Sequence, residues 1–239
     1  MEVVRLLVGG VLPYVAVAVF LMAMVHRIYV WKKLASPPMT LFPAPAGGGA
    51  NTRNTIREAL LFSSLFKGDR LLWAFAWVFH AVLALILLGH LRVFANVDSV
   101  MMALGMSENG IQAMSGGAGR AAGVVILLAT ILLLVRRLAL PRVREITGVP
   151  DYLALLLIGA IIVTGNIMRF GAEHFDLTLT RQYFAGLATF GNVLEAAALK
   201  NNVFVIHMCL AFLLMMCIPF SKILHLGGIF FTQQLIRKH

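Results

Sequence analysis

Seven histidines lie along this 239-residue chain, and four of them fall in two long apolar runs. His80 and His90 lie on residues 71–90, His207 and His225 on residues 203–225. An ionisable side chain inside a run of membrane-spanning length is costly and uncommon, so each is a candidate for function. The other three, His26, His174 and His239, stand at the end of a run, in a polar stretch and at the terminus. Two imidazoles on facing helices supply both axial positions of a six-coordinate haem b, each through Nε2, while the second ring nitrogen needs an acceptor that fixes the tautomer. Iron held in this way has no open coordination position and serves electron transfer. The other readings of the four histidines are hydrogen-bonded structural polar groups and a proton path.

Depth and azimuth arrange them as pairs. Successive spans run antiparallel, so His80 can face His225 towards one side of the membrane and His90 can face His207 towards the other. At 3.6 residues per turn, the 18-residue step from His207 to His225 is five full turns, and both lie on one face. The ten-residue step from His80 to His90 ends about 80° from a full number of turns, still within reach of one neighbour. The rises differ, ~15 Å for the first step and ~27 Å for the second. Helix tilt, a kink at Pro219 and a departure from helix near Ser221 are the devices expected to absorb that difference.

The elements that carry these residues follow from composition. The chain is 60% hydrophobic and 13% charged, with a mean hydropathy of +0.90, whereas soluble domains sit near 45–50% and about 25%. Residues 1–239 read as a single all-α integral membrane domain, a five-helix bundle with spans at about 6–25, 71–90, 121–138, 152–169 and 203–225. Residues 32–70 hold a Pro/Gly-rich loop and, from 54 to 70, an amphipathic segment with Leu60, Leu61, Leu65 and Phe66 at helical spacing. That segment suits either the membrane surface or a docking partner. Trp73 and Trp77, one turn apart, read as interface and packing residues. Cys209 and Cys217 share one apolar run and there is no CxxC, so neither a disulfide, a thiol-ligated cluster nor a c-type haem is expected.

Basic residues give an orientation. Fourteen of the twenty Lys and Arg fall in 26–70, 136–150 and 221–239. The positive-inside rule then puts the N-terminus outside and the C-terminus in the cytoplasm of an inner-membrane protein. The +10 net charge is thereby a matter of topology and gives no support to nucleic-acid binding.

The stretches Phe79 to Arg92 (FHAVLALILLGHLR) and Val205 to His225 (VIHMCLAFLLMMCIPFSKILH) carry a resemblance. The chain resembles the cytochrome b (gamma) subunits of respiratory nitrate reductases and their relatives, which include DsrM-type membrane subunits of the Dsr complex in sulfur metabolism. The histidine spacings and Gly89 before His90 agree with that family over nearly the whole chain. LLFSSLFKGDRLLW and PFSKILHLGGIFFTQQLIRKH look DsrM-like, and the Pro/Gly-rich loop departs from the nitrate reductase pattern. The resemblance implies two haem b groups, an inner one on His80/His225 and an outer one on His90/His207. It implies a quinol or quinone substrate, menaquinone or ubiquinone, near the outer haem. It further implies a cytoplasmic iron–sulfur protein and other membrane-complex subunits as partners. Arg92, Arg169 and Asn166 are then candidate contacts for a quinone or a haem propionate, with a snorkelling interfacial role as the alternative for Arg92. The resulting expectation is an electron-transfer subunit of an oxidoreductase complex, Dsr-type, with a nitrate reductase gamma subunit as the alternative. A small His-relay proton transporter is the reading from a different class. It would call for inverted repeats and matching broken helices, and none is found.

Overall fold

The computed structural model describes residues 2–33, 48–171, 176–193 and 195–225. Among them there is no strand. Five helical segments among the described residues are long and apolar enough to cross a membrane: Val3–Lys33, Arg70–Phe94, Glu108–Ala139, Val149–Phe170 and Asn202–Phe220. The first is a short helix α1 (Glu2–Leu6), a π turn (Leu7–Val11) and α2 (Leu12–Lys33). The expected amphipathic segment is two helices, α3 (Gly48–Leu61) and α4 (Ser63–Gly68), broken at Phe62. The Pro/Gly-rich residues 34–47 and the tail 226–239 lie outside the described residues, as do His174 and His239.

Local chemistry starts each long helix. Asp69 caps α5 (Arg70–Phe94), its side chain accepting from the Leu72 N–H at 2.8 Å. After the short α6 (Val97–Ala103), Ser107 caps α7 (Glu108–Ala139) by accepting from Gly110 at 3.1 Å. The short α8 (Pro141–Glu145) leads to α9 (Val149–Phe170), where Asp151 accepts from the Gly148 N–H. Asn201 caps α11 (Asn202–Cys217) through the Phe204 N–H. Arg136 and Arg137 close α7 and Arg169 closes α9, the end at which cations complement the helix dipole.

Two stretches expected to be polar connections are built differently. The third span starts at Glu108 rather than near Ala121, because the Ser107 cap sets the helix going before the apolar run. Glycine inside a helix costs about 1 kcal/mol relative to alanine. Here Gly119 and Gly123 earn their place by letting the Arg169 and Asn166 side chains of α9 lie against α7. In 169–202, α10 (Leu177–Ala188) and a 3₁₀ turn (Ala197–Lys200) pack inward. Tyr183, Leu187, Val193 and Leu199 form a core with Phe204, Val205 and Met208 of α11. The Tyr183 hydroxyl donates to the Gly9 carbonyl of the π turn at 2.7 Å, and burial pushes this phenol above its ordinary range.

The long helices pack in the order α5, α7, α9, α11, α2. The two histidine-bearing helices are therefore not successive neighbours. Helix α11 ends at Cys217, followed by a 3₁₀ turn (Ile218–Phe220) holding Pro219, an extended Ser221, and a second 3₁₀ turn (Lys222–Leu224). Proline removes a backbone donor and breaks the helical ladder. Arg27 Nε donates to the Pro219 carbonyl at 2.9 Å. The departure anticipated between His207 and His225 is present at Pro219 and Ser221.

Candidate functional site

The four histidines meet across the bundle as two pairs. The His80 and His225 ring centroids are 5.8 Å apart with planes at 84°. Those of His90 and His207 are 6.4 Å apart with planes at 10°. Imidazole nitrogen binds a metal at about 2 Å, so two imidazoles sharing one metal from opposite sides would have centroids about 6 Å apart. Among the described residues no three His, Cys, Asp or Glu side chains converge, so the imidazoles stand as pairs.

The hydrogen bonds of the rings fix their tautomers. His80 Nδ1 contacts the Ala76 carbonyl at 2.7 Å, His90 Nδ1 the Ile86 carbonyl at 2.7 Å, and His225 Nδ1 the Lys222 carbonyl at 2.9 Å. A carbonyl only accepts, so Nδ1 carries the proton in each. His207 Nδ1 meets Thr164 Oγ1 at 2.9 Å. The single Thr164 hydroxyl hydrogen is directed to the Ala160 and Ile161 carbonyls, which leaves its oxygen to accept from His207. In the neutral form, all four rings thus present an Nε2 lone pair. Such outer hydrogen bonds orient a metal-binding histidine and raise its basicity.

A Cβ built on Gly89, the residue before His90, meets nothing within 4 Å, although a mid-helix glycine is disfavoured. Phe79 and Phe62 stand edge-on to His80, with centroids at 5.3 and 5.2 Å. A macrocycle held by imidazole on both faces fits this set of groups.

Near His90 lies a cluster of arginines. Arg92 Nε donates to Asp98 at 2.7 Å, and Arg181 Nη2 reaches the other Asp98 oxygen at 2.9 Å. Arg92 Nη1 also bonds Ser115 Oγ, and Arg181 Nε donates to the Arg92 carbonyl. The hydrogen bond from Arg92, then that from Arg181, holds the Asp98 carboxyl below the ordinary carboxylate range. Arg92 Nη2 is buried without a partner among the described residues. Arg169 is half-buried, with Arg120 and Arg92 as its charged neighbours. Asn166 Nδ2 donates to the Gly123 carbonyl at 3.0 Å. Of the three polar candidates read from the sequence, Arg92 and Arg169 share this positive cluster, while Asn166 is tied to α7. Sequence reasoning missed Thr164, Asp98, Ser115, Arg120 and Arg181. The one available signal was Asp98, six residues beyond Arg92 in an otherwise acid-poor stretch.

At the other end, a cavity of about 330 Å³ is lined by Arg136, Arg137, Asp151, Lys222 and apolar neighbours. Arg136 pairs with Asp69 and Lys222 with Asp151, each at 2.8 Å. Trp73 and Trp77, expected as packing residues, donate their indole N–H groups to the Leu61 and Leu60 carbonyls at 2.8 and 3.0 Å.

Comparison with known proteins adds a lineage. Residues 58–238 match the family model described as nitrate reductase gamma subunit. The Hdr-like menaquinol oxidoreductase cytochrome b-like subunit of Archaeoglobus fulgidus is 32% identical, over 94% of this chain and 77% of its own length. The subunit of the same description from Archaeoglobus profundus is 26% identical over 92% of this chain and 76% of its own. The nitrate reductase gamma chain of Bacillus subtilis is 26% identical over 62% of this chain and 68% of its own.

Proposed function

The chain belongs to the nitrate reductase gamma subunit family, and from that premise we propose that it is the di-haem cytochrome b subunit of a membrane menaquinol oxidoreductase. In this reading it relays electrons between the quinone pool and a cytoplasmic iron–sulfur subunit of a Dsr-type complex. The observation that carries the proposal is the matched chemistry of the four rings. Every Nδ1 is engaged as a donor, every Nε2 is left to bind, and the centroids lie 5.8 and 6.4 Å apart. His80 and His225 would hold one haem b, His90 and His207 the other. Iron so held supplies one-electron transfer and no bond chemistry.

The chain's own residues do the rest. The basic asymmetry supports a cytoplasmic His80/His225 end, where α3, α4 and the basic loops would offer the partner a surface. The His90/His207 end then lies in the outer leaflet, open to a lipid-soluble quinol. Arg92, whose Nη2 is buried with no partner among the described residues, and Arg169, beside Arg120, suit an anionic or carbonyl oxygen such as a propionate or a quinone. Asn166 supports that site by holding α9 against α7.

The test is spectroscopic. The purified protein should show reduced b-type α-bands at about two haems per chain, and menaquinol analogues should reduce both, more slowly with a quinone-site inhibitor. A protein without haem overturns the reading. Haems that answer only to a soluble reductant overturn the quinol assignment.

A further inference from the structure

Phe62 has φ 50° and ψ 46°, the left-handed region. Glycine and asparagine go there readily, and a bulky side chain is an outlier. A strained residue persists only where its surroundings determine it, and here they do so from both sides. The end of α3 is held by α5, whose Trp73 and Trp77 indoles donate to the Leu61 and Leu60 carbonyls. These two carbonyls lie in the last turn of α3, which lacks partners within the helix. The start of α4 is held by Glu58, whose carboxylate accepts from Ser63 Oγ at 2.6 Å, from the Ser64 N–H at 3.0 Å and from Ser64 Oγ. The Phe62 N–H donates to the Glu58 carbonyl, and the Phe62 carbonyl accepts from the Phe66 N–H. The elbow leaves the Phe62 backbone little freedom.

Its consequence is the placing of one ring. Phe62 stands edge-on to His80, at 88° and 5.2 Å, and Phe79 does the same at 81° and 5.3 Å. His80 is thereby held across the plane of His225, whereas His90 and His207 are nearly parallel. We propose that Phe62 is a positioning residue for His80, and that the elbow Leu60–Phe62, locked by Trp73 and Trp77, gives the His80/His225 end its crossed ligand planes. This rests on the di-haem reading above. Axial imidazoles are π-donors to iron. Parallel planes split two of its d orbitals, and crossed planes leave them nearly degenerate, so the oxidised iron between crossed rings has the more anisotropic magnetic signature. Removing the phenyl ring also opens that end to water, which favours the more charged oxidised iron and lowers its potential.

The experiment uses the full chain in membranes with its haems, comparing wild type, Phe62→Gly, Phe62→Asn and Phe62→Tyr by low-temperature electron paramagnetic resonance and redox titration. His225→Ala and His207→Ala assign the two signals. The wild type should show one strongly anisotropic low-spin signal, lost in His225→Ala, and one less anisotropic signal, lost in His207→Ala. Phe62→Gly and Phe62→Asn both suit a left-handed backbone. They should reduce the anisotropy and lower the potential of the first signal alone, while Phe62→Tyr restores both. A wild type without haem overturns the di-haem reading and this proposal together. Haems that are present but unchanged in Phe62→Gly and Phe62→Asn, or shifted equally at both ends, overturn this proposal alone.

Discussion

The two ends of the bundle hold the same pair of side chains by opposite means. At the His90/His207 end both residues lie within regular helix, α5 and α11. The end is tied by side chains: Thr164 accepts from His207, and Asp98 joins Arg92 to Arg181. At the His80/His225 end the backbone does the work. Helix α11 gives way to two 3₁₀ turns before His225, Arg27 holds the Pro219 carbonyl, and the α3–α4 elbow presses Phe62 on His80. Paired imidazoles thus need neither a shared helix register nor a shared network: the ring centroids come to 5.8 and 6.4 Å of each other, each end from different materials.

The strongest way to break this comparison is to delete single rings. His80→Ala or His225→Ala should remove one haem, and His90→Ala or His207→Ala the other, as counted by haem extraction and redox titration. If His80→Ala and His207→Ala lost the same haem, the two ends would not be independent. A smaller effect should come from Thr164→Val, which takes the acceptor from His207 and keeps the shape. Loss of an outer hydrogen-bond partner costs roughly 10–100-fold in metal affinity, so haem at that end should be depleted first when haem supply is limited. The other three rings use backbone carbonyls that no substitution removes.

The ion pairs sharpen the contrast further. Asp98 is 16% exposed and serves two arginines, whereas Lys222, the partner of Asp151, is 80% exposed. Asp98→Ala should cost about 2 kcal/mol, since it takes the carboxylate from two partly buried guanidinium groups. Lys222→Ala should cost less than about 1 kcal/mol. Unfolding in detergent would compare them. The smallest effect concerns pH. The Asp98 carboxyl is held low by Arg92 and then Arg181, so its contribution is present above the unfolded carboxylate value of about 3.9 and is lost as pH falls through the lower folded value. The stability of Asp98→Asn should therefore fall less steeply below about pH 4 than that of the wild type.

Much of this was legible in the sequence. The histidines announced themselves because ionisable residues are rare in apolar runs, and their spacing, with Pro219 and Ser221, foretold two pairs and a broken fifth helix. The third span was read too short because its first thirteen residues, about three and a half turns, are polar and glycine-rich. The Ser107 cap and the fit against α9 sustain them, and hydropathy registers neither. Residues 177–200 gave no warning of becoming core. Tyr183 and Leu199 are buried by contacts with α11 and the π turn that are distant in sequence. Phe62 was hidden for another reason: a left-handed phenylalanine contradicts its own propensity, and the helical spacing of Leu60, Leu61 and Leu65 runs straight through it.

The close seat of α9 on α7 has a consequence for how such chains can diverge. A methyl group on Gly123 would land on the Asn166 side chain, whose amide occupies the space the glycine leaves and donates to its carbonyl. The constraint runs one way: residue 166 can shorten while glycine stays, losing only its hydrogen bond, but alanine at 123 needs the 166 side chain shortened or moved first, so across related sequences a larger residue at 123 should occur only beside a smaller one at 166, a socket that can outlive its plug but not the reverse.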